Sequence, residues 1–146
     1  MQTKTPDAVE LPARLRLAIA RMARRMRQEA GDELSPSMMA ALATIENRGP
    51  LTPSELAEFE RIKRPTATRV LRRLEEDGLI VRTADPSDGR SAVVSVTRDG
   101  AALLKKLRSR KNAYLARRLR ELPDEDVEAL ERAAEVLERL LDEERR

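Results

Sequence analysis

The sequence predicts a mainly α fold with one small β-hairpin, an α+β arrangement in which strand is the minor part. Three observations carry this. Apolar residues recur three and four apart through most of the 146 residues. Helix caps and helix stops punctuate those runs. Residues 79–97 abandon the helical period for two short β-branched segments around a polar turn.

The first helix is expected from about Ala8 to Ala30, with Leu11, Leu15, Ile19, Met22 and Met26 on one face. Pro12 stands in or just before its first turn, where a missing N–H is harmless, and Gly31 ends it. Ser35-Pro36 opens the second helix as N-cap and first helical residue. Met39, Leu42 and Ile45 form its apolar stripe, and Pro50 prevents its continuation. Thr52-Pro53-Ser54-Glu55 reads as a capping box for a short third helix to about Glu60. After a turn containing Ile62, a fourth helix is expected from about Pro65 to Asp77, with Gly78 as its C-cap.

Leu79-Ile80-Val81 begins one strand and Val93-Val94-Ser95-Val96-Thr97 forms the other. Asp85-Pro86-Ser87-Asp88-Gly89 between them is a run of turn formers, long enough for the hairpin tip to project. Thr97-Arg98-Asp99 starts a long fifth helix to about Leu122, broken by Pro123-Asp124. In the last helix, Glu125 to about Glu144, Val127, Leu130, Ala134, Leu137 and Leu141 step 3, 4, 3, 4, which is a heptad seam. Such a seam takes a partner helix from the same chain or from a second subunit.

Composition narrows the function classes. Hydrophobic residues are 40% and charged residues 38%, a mix that suits long amphipathic helices. With no Cys and no His, disulfides, thiol redox sensing and Cys/His metal sites are excluded. Nucleophilic Cys and basic His catalysis go with them, and no other catalytic pair sits in a recognisable motif, so no enzyme is expected. No run of about 18 apolar residues would span a membrane. The N-terminus lacks the pattern of a signal peptide, so a cytoplasmic location is expected. Residues 121–146 hold eleven acids and four bases, a balance of −7, so the rest of the chain carries +10 of the net +3. A basic body suggests a polyanionic partner.

Residues 50–97 localise that partner. Two short helices joined by a tight turn, then a hairpin, is the order of a winged helix-turn-helix. Ala67, Val70, Leu71 and Leu74 make the buried face of the fourth helix. Arg64, Pro65, Thr66, Thr68, Arg69, Arg72 and Arg73 are expected on its outer face. Six bases and no acid fall between Arg61 and Arg73, while Glu75, Glu76 and Asp77 come only at the far end. A solvated helix usually mixes both signs; a cation-only face suits phosphate. Arg can grip guanine O6 and N7, and a Thr methyl can pack on the thymine methyl. Arg90, beside the hairpin tip, can enter a narrow minor groove, with Asp88 orienting its guanidinium. Ser54 and Lys63 complete the candidate DNA contacts.

In the order Leu51-Thr52-Pro53-Ser54-Glu55-Leu56-Ala57, Arg64-Pro65-Thr66-Ala67-Thr68-Arg69, Leu74-Glu75-Glu76-Asp77-Gly78-Leu79-Ile80, Asp85-Pro86-Ser87-Asp88-Gly89-Arg90 and Val94-Ser95-Val96-Thr97-Arg98-Asp99-Gly100, the sequence resembles the MarR family of bacterial transcription regulators. The resemblance covers nearly the whole chain. It implies three regions: an N-terminal dimerisation helix (1–34), a winged helix-turn-helix DNA-binding lobe (35–100) and C-terminal dimerisation helices (101–146). It also implies a repressor that binds a palindromic operator in double-stranded DNA as a homodimer, in which Leu11, Leu15, Ile19, Val127, Leu130, Leu137 and Leu141 form the dimer interface. A small apolar or anionic ligand between lobe and dimer helices would release the DNA, seated among Leu, Met and Ala with an Arg or Lys nearby; no other cofactor is implied. The sequence departs from the family where Lys63 replaces a frequent capping Ser and where Gly89 replaces a frequent wing base. Two other readings of the same residues are a winged-helix protein-interaction module and a non-specific DNA-binding protein.

Overall fold

The computed structural model describes residues 10–85, 87, 89 and 91–144. The elements follow in the order α1 (Glu10–Ala30), α2 (Pro36–Arg48), α3 (Pro53–Glu60), α4 (Arg64–Glu76), β1 (Ile80–Ala84), β2 (Ala92–Val96), α5 (Arg98–Arg120) and α6 (Asp124–Glu144). Of the expected start of the first helix, Ala8 lies outside the described residues.

Caps fix most of these boundaries. The Ser35 hydroxyl accepts from the Met38 amide (3.2 Å), with Pro36 in the first turn of α2. Both halves of the capping box are made at α3: Thr52 Oγ1 accepts from the Glu55 amide, and Glu55 Oε1 accepts from the Thr52 amide, each at 3.1 Å. At the end of α4 the cap is Asp77 rather than the expected Gly78. Asp77 continues the right-handed turn (φ −80°, ψ 0°), and Gly78 then takes the left-handed conformation at φ 73°. That reversal lets the Leu79 amide donate back to the Leu74 carbonyl at 2.9 Å.

The two strands pair antiparallel from Ile80↔Val96 to Ala84↔Ala92. Leu51 bridges Val94 from the other side, donating to and accepting from its backbone at 3.1 and 2.7 Å. The chain between α2 and α3 is thereby sewn to the hairpin. At the hairpin end, the amide and hydroxyl of Ser87 both donate to Asp85 Oδ1, at 2.9 and 2.8 Å.

One core joins these pieces. Leu42 and Ile45 of α2, Leu56 of α3, Leu71 and Leu74 of α4, Val94 of β2, and Leu104 and Leu107 of α5 are fully buried in it. Burying each such side chain is worth about 1.5–3 kcal/mol. The junction of hairpin and α5 is the tightest place. Thr97 Oγ1 donates to the Gly78 carbonyl (2.7 Å) and accepts from the Gly100 amide (3.1 Å). A Cβ on Gly100 would run into the Leu79 carbonyl oxygen, so only glycine lets the helix approach this closely.

Ion pairs join α5 to the helices beside it. Arg108 binds Glu46 at 2.8 Å, and Arg110 binds both Glu33 (3.0 Å) and the Ala30 carbonyl (2.8 Å). A backbone hydrogen bond at Glu33 itself, and then the Arg110 guanidinium, hold the Glu33 carboxyl below the usual carboxylate range. Beyond this core, α1 buries only Ala30 and α6 buries none of its described residues.

Candidate nucleic-acid interface

The surface that can meet a duplex is built on α4. Its inner face is fixed by Ala67, Val70, Leu71 and Leu74, all buried, so the helix cannot rotate without emptying the core. Arg64, Pro65, Thr68, Arg69, Arg72 and Arg73 are consequently exposed. The position expected to differ from the rest does so: Lys63 makes no side-chain cap, and α4 begins with no hydroxyl or carboxylate holding its first amides. Lys63 is itself exposed.

The cations on this face are not equivalent. Arg73 is paired with Asp77 at 3.4 Å, one turn on, which draws its charge toward the end of the helix. Arg64, Arg69 and Arg72 form no ion pair among the described residues. Thr68 is exposed, but its hydroxyl donates to the Arg64 carbonyl (3.0 Å), leaving its lone pairs and its methyl group for a ligand. Thr66 is placed differently from the outward position expected for it. It is half-buried and lines a groove toward α2 with Pro36, Ala40 and Ile62. A thirteen-residue helix lying over α2 presents its flank there, and periodicity alone did not fix which flank.

Ser54, in the first turn of α3, is half-buried and borders a polar cleft with Thr52, Arg64, Arg82, Ser91 and Ala92. Arg82 is the residue that sequence reading missed. It lies on β1, where its Nε donates to Glu75 Oε2 of α4 at 3.3 Å. An outward Arg on a strand looks like any solvated cation; only the fold brings it beside the recognition helix. Asp88 and Arg90, the expected wing contacts, lie outside the described residues.

A second concavity opens where α1 meets α2 and α5. It measures about 220 Å³ and is walled by Ala23, Met26, Leu34, Met39 and Leu107, with Arg27 and Lys111 at its polar side. No helix among the described residues is long and apolar enough to cross a membrane.

Comparison with known proteins agrees with this architecture. The family model described as "MarR family" matches residues 34–92, the stretch that contains α2, α3, α4 and β1 and reaches the start of β2. An HTH-type transcriptional regulator of Mycobacterium tuberculosis is 37% identical over 134 residues, covering 91% of this chain and 94% of that protein. The HTH-type transcriptional repressor MdtR of Bacillus subtilis is 31% identical over 94 residues, 64% of this chain and 61% of that one. The crystal structure of a Pseudomonas aeruginosa protein described as a transcriptional regulator superposes with a TM-score of 0.85 at 34% identity, covering 94% of this chain and 98% of the other. Similarity of sequence and of fold thus extends well past the helix-turn-helix into the flanking helices, and the chain belongs to the MarR family of DNA-binding transcriptional regulators.

Proposed function

We propose that the protein is a repressor that binds a palindromic operator as a homodimer, with α4 of each subunit in the major groove of one half-site. The observation that carries this reading is the outer face of α4, where Arg64, Arg69 and Arg72 stand exposed without acidic partners among the described residues. Unpaired arginines at the beginning and middle of a rigidly seated helix suit guanine edges and phosphate. Pro65 presets the entry of that helix, while Lys63, Ser54 and the Arg73–Asp77 end flank it. Repression is the activity named for MdtR, which is similar to this chain over 94 residues. The exposed apolar faces of α1 and α6 support the homodimer.

The cavity between α1, α2 and α5 supports release by a small amphipathic anion. Its walls are apolar, and Arg27 and Lys111 offer charge to a carboxylate. A ligand there bears on the angle between lobe and flanking helices. Octanoate should raise the thermal midpoint more than octanamide, and a Lys111→Ala variant should lose that difference. Equal effects of acid and amide on the wild type would remove the anionic preference.

Selection from a random duplex library, followed by salt titration of the winners, tests the main reading. A palindrome with half-sites about one helical turn apart, bound less tightly as salt rises, is the expected result. Salt-sensitive binding with no enriched sequence would make the protein a non-specific DNA binder. No binding even at low salt would favour a protein-interaction module.

A further inference from the structure

Between the recognition helix and the hairpin lies a cleft that neither the base-reading face nor the hairpin tip accounts for. Arg64 lines it from the start of α4 and Arg82 from the middle pair of the hairpin, opposite Val94. Thr52, Ser54 and Ser91 line the rest. Two arginines on different elements line one polar hollow, and among the described residues that line it there is no acid. Arg82 is also held in a specific way. Its Nε is taken by Glu75 Oε2, which leaves the terminal amino pair of the fork for the cleft. Glu75 itself does not line the hollow.

We propose that this cleft seats one backbone phosphate of the bound duplex in each subunit, with Arg82 and Arg64 as the two cationic walls and Glu75 as the positioning residue for Arg82. This rests on the DNA-binding reading above and adds a contact to it. A phosphodiester oxygen pair matches a guanidinium fork, and the hydroxyls of Thr52 and Ser54 can donate to the same group. The contact carries no base information. It fixes how deeply α4 sits and ties the depth of the helix to the placement of the hairpin.

The test pairs protein variants with a chemically neutral backbone. A duplex recovered by selection with the wild type is resynthesised with single methylphosphonate linkages along each half-site, and affinities are measured across a salt series. One linkage per half-site should weaken the wild type and cost Arg82→Gln clearly less, since Arg64 alone still faces that phosphate. The slope of log K against log salt should flatten in Arg82→Gln by up to about 1.8, the limit set by two phosphates at about 0.9 each. Arg82→Lys keeps the charge and should keep the wild-type slope. In a Glu75→Ala background, Arg82→Gln should cost less than it does alone, because the anchor of the fork is already gone.

The outcomes separate. If the wild type binds its duplex but every methylphosphonate position costs Arg82→Gln as much as it costs the wild type, the seat is not there, and the DNA-binding reading stands. Equal loss of slope in Arg82→Gln and Arg82→Lys would mark a damaged hairpin and overturn the assignment. If the wild type binds no duplex, this inference and the reading beneath it fall together.

Discussion

Arg69 is the side chain on which sequence preference should depend most. It stands mid-helix on α4, exposed, next to Thr68 and without an ion pair among the described residues. Arg69→Ala should weaken binding to the selected operator by about 1–3 kcal/mol and relax preference at one base pair of each half-site. A titration showing unchanged affinity would remove Arg69 from the base-reading set. Arg73 should behave otherwise, since Asp77 already holds it; its loss should be small and indifferent to sequence. The distinction between these two arginines was not legible in the sequence. Both are basic residues on the same strip, and their difference arises from one ion pair across a helix turn. Arg82 and Thr66 were illegible for a different reason. Each depends on a neighbour on another element, Glu75 of α4 for one and Pro36 of α2 for the other, and local pattern does not report which flank a neighbour occupies.

At the scale of elements, what the sequence disclosed best was where helices begin. Ser35-Pro36 and the Thr52–Glu55 box form their predicted bonds, because capping is a negotiation among residues three apart. The same logic makes α4 improvable. Its cap position, Lys63, has the extended conformation of an N-cap but no acceptor to offer. Lys63→Ser should stabilise the fold by about 0.5–2 kcal/mol in urea unfolding, while weakening DNA binding through the lost cation. A variant neither more stable nor weaker in binding would show that the amides of this first turn already have partners. The converse holds at the joint of hairpin and α5. Gly100→Ala forces a methyl group against the Leu79 carbonyl and should cost about 1–3 kcal/mol. Unchanged unfolding would mean that α5 can slide away from β1. The sequence marked Thr97 as a helix start, yet nothing in it distinguished this glycine from an ordinary first-turn residue; the requirement comes from the distant Leu79 carbonyl, which the Thr97 amide also grips.

For the molecule as a whole, the apolar surface that the isolated chain leaves exposed is the governing fact. In the isolated chain Ile19 is 50% exposed, Leu130 49% and Leu141 58%, and they lie on two long helices that bury almost nothing else. Scattered exposed leucines need no explanation, but contiguous stripes of them on helices do. The seam of Val127, Leu130, Leu137 and Leu141 has the spacing of a helix that packs against another along its length, and among the described residues no helix lies along it. Leu11, Leu15 and Ile19 extend the exposed apolar surface onto α1. In the proposed homodimer a second copy would cover both stripes at once and bring two α4 helices to one face of the duplex. Leu137→Glu places a charge in the middle of that contact while leaving the core around Leu42, Leu71 and Leu104 untouched. The variant should sediment as a monomer with its helical content retained. Its operator affinity should fall by about 10²–10⁴-fold, the loss expected when one half-site no longer recruits the other. Because the lobe remains folded, a single half-site should still be bound by the monomer as weakly as by one arm of the wild type. If Leu137→Glu sediments as a dimer, the stripes are covered by something other than each other, and the two lobes must be coupled through a different surface.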